Sequence, residues 1–212
     1  MRIGFMGGTF SPPHIGHLHS ARVFYREAGL SKLIIIPAGV SPFKANTSPS
    51  ASTPDRLSMA KLCFLPLNDE GLNVEVSDME ASLCGASYTI NTIMALKEIY
   101  SEDELFMFVG SDMFLSLERW KSFEEIFRQC KIYTRARDDS ERQLLLSVCE
   151  HYRKEYGADI TVSDDKALIA SSTEVRLAVE SKKVETMQNL LTGEVLRYII
   201  ENRLYSGEDY DK

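Results

Sequence analysis

The first 37 residues hold two short apolar runs with a helical pattern between them, and that order limits what the chain can fold into. Residues 2–6 read as a strand. Residues 16–28 follow a helical pattern that Gly29 would end. Residues 32–37, Lys-Leu-Ile-Ile-Ile-Pro, form a second strand with no polar alternation. A strand apolar on both faces belongs in a parallel sheet covered by helices on either side. Strand, helix and strand within about 35 residues make a βαβ unit.

The rest of the chain repeats this alternation. Residues 72–76, 104–109, 131–134 and 158–163 read as further strands. Helical patterns occupy 90–100 and 138–156, the latter opening on Asp138 and Asp139 and closing at Gly157. A helix is expected from Thr53, with Thr53 as N-cap and Pro54 in its first turn. Arg56 in that turn reads equally well as a solvated charge or as a residue near a site. The expected fold is α/β: a Rossmann-like open parallel sheet with helices on both faces and a small C-terminal helical extension. A single domain over 1–212 is expected, with 171–205 mostly helical. The 44% hydrophobic content supports a sizeable core.

The chemistry gathers where strands end. Between the first strand and helix lies Gly7-Gly8-Thr9-Phe10-Ser11-Pro12-Pro13-His14-Ile15-Gly16-His17. A glycine-rich loop before a helix N-terminus offers backbone N–H groups and a favourable dipole to a phosphate. His14 and His17, three apart, fall on one side of a first helical turn. The strand at 104–109 runs into Gly110-Ser111-Asp112, at the end of the sheet where open α/β folds bind ligands. Asp112 there can accept from ribose hydroxyls. Trp120, the single tryptophan, could wall off an aromatic base or anchor the core. Ser171-Ser172-Thr173 followed by Arg176 makes a second hydroxyl-rich helix start with a cation one turn in.

Composition removes several classes. A net charge of −7 argues against a nucleic acid as main partner, though a local cationic pocket can still hold a polyphosphate. No stretch approaches the ~20 apolar residues that span a membrane. Glycines interrupt the N-terminal apolar run, so no signal peptide is read there and a cytoplasmic location is expected. Cys63, Cys84, Cys130 and Cys149 show no CxxC spacing and read as reduced core residues. His151 reads as a surface histidine. Association into a homo-oligomer is left open.

Taken in order, these elements resemble the nucleotidyltransferase superfamily with the HxGH signature, and within it the bacterial nicotinate-nucleotide adenylyltransferases. The resemblance runs from Gly4 to Tyr205. It rests on the His14-x-Gly16-His17 loop, Ser87-Tyr88-Thr89, Gly110-x-Asp112 with Trp120, and Ser171-Ser172-Thr173-x-x-Arg176. Ser11 stands where the family usually has Asp, and Phe43 precedes Lys44 where a His is common. Lys121 follows the tryptophan in place of a frequent Tyr. Arg135 lacks the Pro-Gly that usually follows it, and Ala170 replaces an Ile or Val.

The resemblance implies transfer of the adenylyl group of ATP to nicotinate mononucleotide, giving nicotinate adenine dinucleotide and pyrophosphate in NAD biosynthesis. It implies His14 and His17 as catalytic. For ATP it implies Gly7, Gly8, Thr9, Phe10, His17, Lys44, Gly110, Asp112, Ser171, Ser172, Thr173 and Arg176. For the mononucleotide it implies Thr9, His14, Lys44, Ser87, Tyr88, Thr89, Trp120 and Arg135. Mg2+ would be held mainly by the ATP phosphates, with no protein ligand assigned. Pantetheine-phosphate adenylyltransferase is the near alternative, but it lacks the Ser-Tyr-Thr and Gly-x-Asp…Trp combination. A nucleotide-binding regulator without catalysis is a second alternative, against which the intact histidines and Arg176 argue. A dinucleotide oxidoreductase would need a GxGxxG after the first strand, which is missing.

Overall fold

The computed structural model describes residues 1–39, 51–81 and 87–206. Six parallel strands form one sheet in the order β3-β2-β1-β4-β5-β6. They are β1 (Arg2–Gly8), β2 (Lys32–Pro37), β3 (Val74–Val76), β4 (Glu104–Gly110), β5 (Lys131–Arg135) and β6 (Ile160–Val162). The helices among the described residues are α1 (Ile15–Glu27), α2 (Thr53–Phe64), α3 (Thr89–Ile99), α4 (Ser111–Phe114), α5 (Phe123–Gln129), α6 (Asp139–Tyr156), α7 (Ser172–Glu180), α8 (Val184–Leu190) and α9 (Gly193–Glu201). The Rossmann-like parallel sheet expected from the apolar runs is present.

The apolar runs divide by strand alternation between two cores. Ile3 and Phe5 of β1, Ile34 and Ile36 of β2, and Leu105, Met107 and Val109 of β4 point to one face, with α3, α5 and α6. Met6, Leu33 and Ile35 point to the other, with α1 and α2. Each such fully buried side chain is worth roughly 1.5–3 kcal/mol of transfer free energy. Gly4 is required on the α1 face: a Cβ there would sit 2.2 Å from a methyl of Leu30 and 3.0 Å from the Phe24 ring. Val175 of α7, Met187 and Leu190 of α8, and Val195 and Ile199 of α9 join that same apolar cluster, so the C-terminal helices cover the α1–α2 face. Cys63, Cys130 and Cys149 are free and buried, and burial pushes each thiol up, Cys130 to about 12. Cys84 lies outside the described residues.

Several boundaries differ from the sequence reading: β3 spans only Val74–Val76 and β6 only Ile160–Val162. β1 continues through Gly7 and Gly8, because the chain stays paired to β2 as far as Pro37. Ser52, not Thr53, caps α2: its hydroxyl accepts from the Asp55 N–H at 3.2 Å, and Thr53 is the first helical residue.

The chain leaves β1 and β4 in opposite directions across the sheet, with β2 and β3 on one side and β5 and β6 on the other. The carboxyl ends of β1 and β4 therefore flank the crevice in which open α/β sheets take ligands.

Candidate active site

His14 is the N-cap of α1, and it shares a reciprocal cap with His17. The His14 Nδ1 accepts from the His17 N–H at 3.4 Å, and the His17 Nδ1 accepts from the His14 N–H at 3.3 Å. An accepting ring nitrogen carries no proton, so both neutral rings hold theirs on Nε2, which becomes a donor. The rings stack with centroids 3.7 Å apart. Gly16 makes this possible: a Cβ there would lie 3.1 Å from the His14 ring and 3.0 Å from the Leu168 carbonyl. Burial lowers the pKa of His14 from 6.5 to about 4, so it is uncharged near neutrality.

The loop before α1 is held from behind through its carbonyls. Arg56, 1% exposed, donates to the Thr9 carbonyl at 3.0 Å and the Ala38 carbonyl at 2.7 Å from one nitrogen. Its other terminal nitrogen reaches the Gly39 carbonyl at 3.4 Å and the Thr53 hydroxyl at 3.0 Å. Arg176 donates to the Ser11 carbonyl at 2.8 Å, and the Ser172 hydroxyl to the Pro12 carbonyl at 2.8 Å. Ser11 and Tyr205 share a buried hydroxyl contact of 3.1 Å. A trans peptide directs its N–H opposite to its C=O, so anchoring the Thr9 carbonyl turns the Phe10 N–H away from Arg56. Phe10 itself has a left-handed φ of 49°.

Two clefts lie on either side of this loop, and Phe108 lines both. The first, about 390 Å³, is walled by Phe5, Ile36, Met107, Met113 and Trp120, with Ser87, Tyr88 and Thr89 at one end. α3 starts there with Tyr88 as N-cap and no side-chain cap, so the Ser-Tyr-Thr triplet is not a capping motif. The Ser87 hydroxyl is buried without a hydrogen-bond partner. The second cleft, about 420 Å³, is lined by His14, His17, Gly110, Asp112, Ser171, Ser172, Thr173 and Arg176. Of the predicted residues, Ser87, Tyr88, Thr89 and Trp120 line the first cleft, while His14, His17, Gly110, Asp112, Ser171, Ser172, Thr173 and Arg176 line the second.

Several predicted residues sit elsewhere than expected. Gly7 and Gly8, assigned to ATP, line the first cleft. The Phe10 ring is core: it packs edge-on against His17 at 5.2 Å and Phe64 at 5.3 Å, leaving only its backbone for a ligand. Arg135, assigned to the mononucleotide, lines the second cleft instead. Its guanidinium is buried in bonds to the Asp165 carboxylate, the Lys166 carbonyl at 2.6 Å and the Ser20 hydroxyl at 3.3 Å. The Ser171 hydroxyl caps α7 through the Glu174 N–H, and the Thr173 hydroxyl accepts from Arg176. This segment therefore braces the first loop as well as lining the cleft. Lys44 lies outside the described residues. His151 is half-exposed and bonds Glu118 at 3.1 Å.

The sequence left Arg56 open between a solvated charge and a residue near a site; the fold brings three carbonyls around it. Glu80 had no sequence signal. Glu80, 9% exposed, lines the first cleft and accepts from the Thr92 hydroxyl at 2.6 Å.

The sequence profile of the cytidylyltransferase-like family matches residues 5–187. A protein from Chlorobaculum parvum named "Probable nicotinate-nucleotide adenylyltransferase" is 33% identical over 205 residues, covering 97% of this chain and 99% of its own. One of the same name from Desulfitobacterium hafniense is 33% identical over 207 residues, covering 96% and 95%. Among solved structures, the Plasmodium falciparum nicotinic acid mononucleotide adenylyltransferase complexed with NaAD superposes with a TM-score of 0.76. It covers 98% of both chains at 16% identity, a likeness of fold.

Proposed function

This chain belongs to the nicotinate-nucleotide adenylyltransferase family, within the cytidylyltransferase-like group, and we propose that its two clefts bind the two nucleotides whose phosphates meet at the His14–His17 loop. It is an adenylyltransferase that joins nicotinate mononucleotide to the adenylyl group of ATP. The observation that carries the assignment of clefts is their contrast across Phe108: one apolar and walled by Trp120, the other lined by donors.

The acceptor's 5′-phosphate attacks the α-phosphorus of ATP in line, one P–O bond forms, and pyrophosphate leaves with the electron pair of the bond that breaks. Both reactants already carry the reacting groups, so the protein positions them and stabilises charge. His14 and His17 donate from Nε2 to phosphate oxygens, and the Phe10 N–H adds a backbone donor. Arg176, lining the second cleft, offsets charge on the triphosphate. Asp112 accepts from the ATP ribose. Trp120 covers the pyridine ring, with Thr89 at its carboxylate end. Mg2+ would enter with ATP, held mainly by the phosphates and water. When bound, it neutralises charge on the departing pyrophosphate. A cytoplasmic setting fits a chain with no helix, among the described residues, long and apolar enough to cross a membrane.

Pyrophosphate release with magnesium-ATP tests the reading, with nicotinate mononucleotide, nicotinamide mononucleotide and phosphopantetheine as acceptors. Turnover with the first is expected. Preference for phosphopantetheine would overturn the acceptor assignment, and ATP binding without turnover would favour a regulator. His17→Ala should lower kcat by about 10²–10³-fold, the loss seen when one transition-state donor is removed. Near-normal kcat in a folded variant would remove His17 from the chemistry.

A further inference from the structure

The apolar cleft holds two opposite charges that the family resemblance does not assign, and their placement bears on which pyridine nucleotide enters. The Glu80 carboxylate lines the cleft and is anchored by the Thr92 hydroxyl at 2.6 Å. Thr92 stands one turn along α3 from Thr89, on the same side of the helix. A ligand carboxylate at the Thr89 end would therefore meet a like charge in an apolar setting, where charges are weakly screened. A carboxamide would not. On Glu80 alone, the cleft would favour the amide.

Lys121 reverses that balance. Its ammonium lies 4.3 Å from the centroid of the Tyr88 ring, and Tyr88 is the N-cap of α3. The cation thus lies over the Tyr88 ring and lines the same cleft as Thr89 and Trp120. Lys121 makes no ion pair with an acid among the described residues; its contact there is the ring face. A cation–π contact is weak enough at an exposed site to yield to a carboxylate. The uncapped N–H groups at the start of α3 and the unpartnered Ser87 hydroxyl add donors nearby. Arg119 also lines the cleft, from the turn Leu117–Arg119 just before Trp120.

We propose that Lys121 is the specificity-determining cation of this chain: it offsets Glu80 and selects a pyridine mononucleotide bearing a carboxylate over one bearing a carboxamide. The inference rests on the pyridine ring occupying the apolar cleft.

Trp120 is the single tryptophan, so its fluorescence reports the cleft directly, without ATP or turnover. Titrations with nicotinate and nicotinamide mononucleotide would be run on the wild type, Lys121→Gln, Lys121→Arg, Arg119→Gln and Glu80→Gln. Lys121→Gln should raise the Kd of the acid about tenfold and shift that of the amide by less than about twofold, the pattern of a lost charge pair. Lys121→Arg should keep most of the acid preference, and added salt should erode it. Glu80→Gln should strengthen the acid relative to the amide. Arg119→Gln should move both ligands together. Equal weakening of both by Lys121→Gln, or no change in either, would overturn the proposal. So would a wild type that prefers the amide. If neither mononucleotide quenches Trp120 while ATP still binds, the assignment of the cleft itself fails, and this proposal with it.

Discussion

His14 should make this protein acid-sensitive in a defined window. Burial holds its folded pKa near 4, against an ordinary 6.5. Above pH 6.5 the ring is neutral in both states and adds no slope to stability. Below 6.5 the unfolded chain takes up a proton that the folded chain refuses, so stability falls as pH drops. The loss stops near pH 4, where the folded ring protonates too. At about 1.4 kcal/mol per pH unit, the upper bound is about 3.5 kcal/mol, with about 2 kcal/mol lost by pH 5. Against a typical stability of about 5–15 kcal/mol this is a large share. The geometry gives the cause: the His14 ring is only 6% exposed, and protonation at its Nδ1 would make it release the His17 N–H. His14→Asn isolates the effect, because Asn is a good N-cap acceptor and does not titrate. Urea unfolding from pH 7.5 to 4 on both proteins gives a difference curve in which carboxylates cancel. That curve should slope downward with falling pH for the wild type. A flat curve, or one that rises as pH falls, would mean that the His14 ring is solvated or held as a cation, and would refute the neutral-donor assignment.

Arg56→Met should lower stability by about 2–4 kcal/mol, the cost of unmet buried carbonyls partly offset by no longer burying a charge. Thermal melts check this, and an unchanged Tm would mean that Arg56 does not hold the two loops. Gly39→Ala would place a Cβ 2.3 Å from the Glu80 carbonyl oxygen, so residues 39 and 80 must move apart. The KM for the mononucleotide should rise while the KM for ATP stays within about twofold, since only the first cleft is distorted; equal effects on both would contradict the two-cleft assignment. Tyr205→Phe removes the partner of the Ser11 hydroxyl and should cost about 1 kcal/mol in chemical denaturation. No loss would mean that the contact contributes nothing.

Much of the architecture was legible because it follows from local rules. The run at 32–37 is apolar at consecutive positions, so it had to be covered on both faces, and alternation along β1, β2 and β4 then divides the side chains between two cores. The placement of the first loop between β1 and α1 was legible because glycines and a helix start mark the strand-to-helix switch. Thr53 was misread as a cap because Ser52 and Thr53 are both good caps, and only the backbone angle at Ser52 distinguishes them. The surroundings of Arg135 were not legible because its neighbours in space, Asp165 and Lys166, lie some thirty residues away in sequence.

The sequence by itself determined the alternation of strands and helices, and that His14 and His17 share a turn. Those features depend on residues within a few positions of each other. Only the tertiary structure decided the charge state of His14, the use of Arg56 and Arg176 on loop carbonyls, and the meeting of Glu80 and Lys121 in one cleft. Each of these depends on desolvation and on partners brought together by the sheet. Neither is written in the local order of residues.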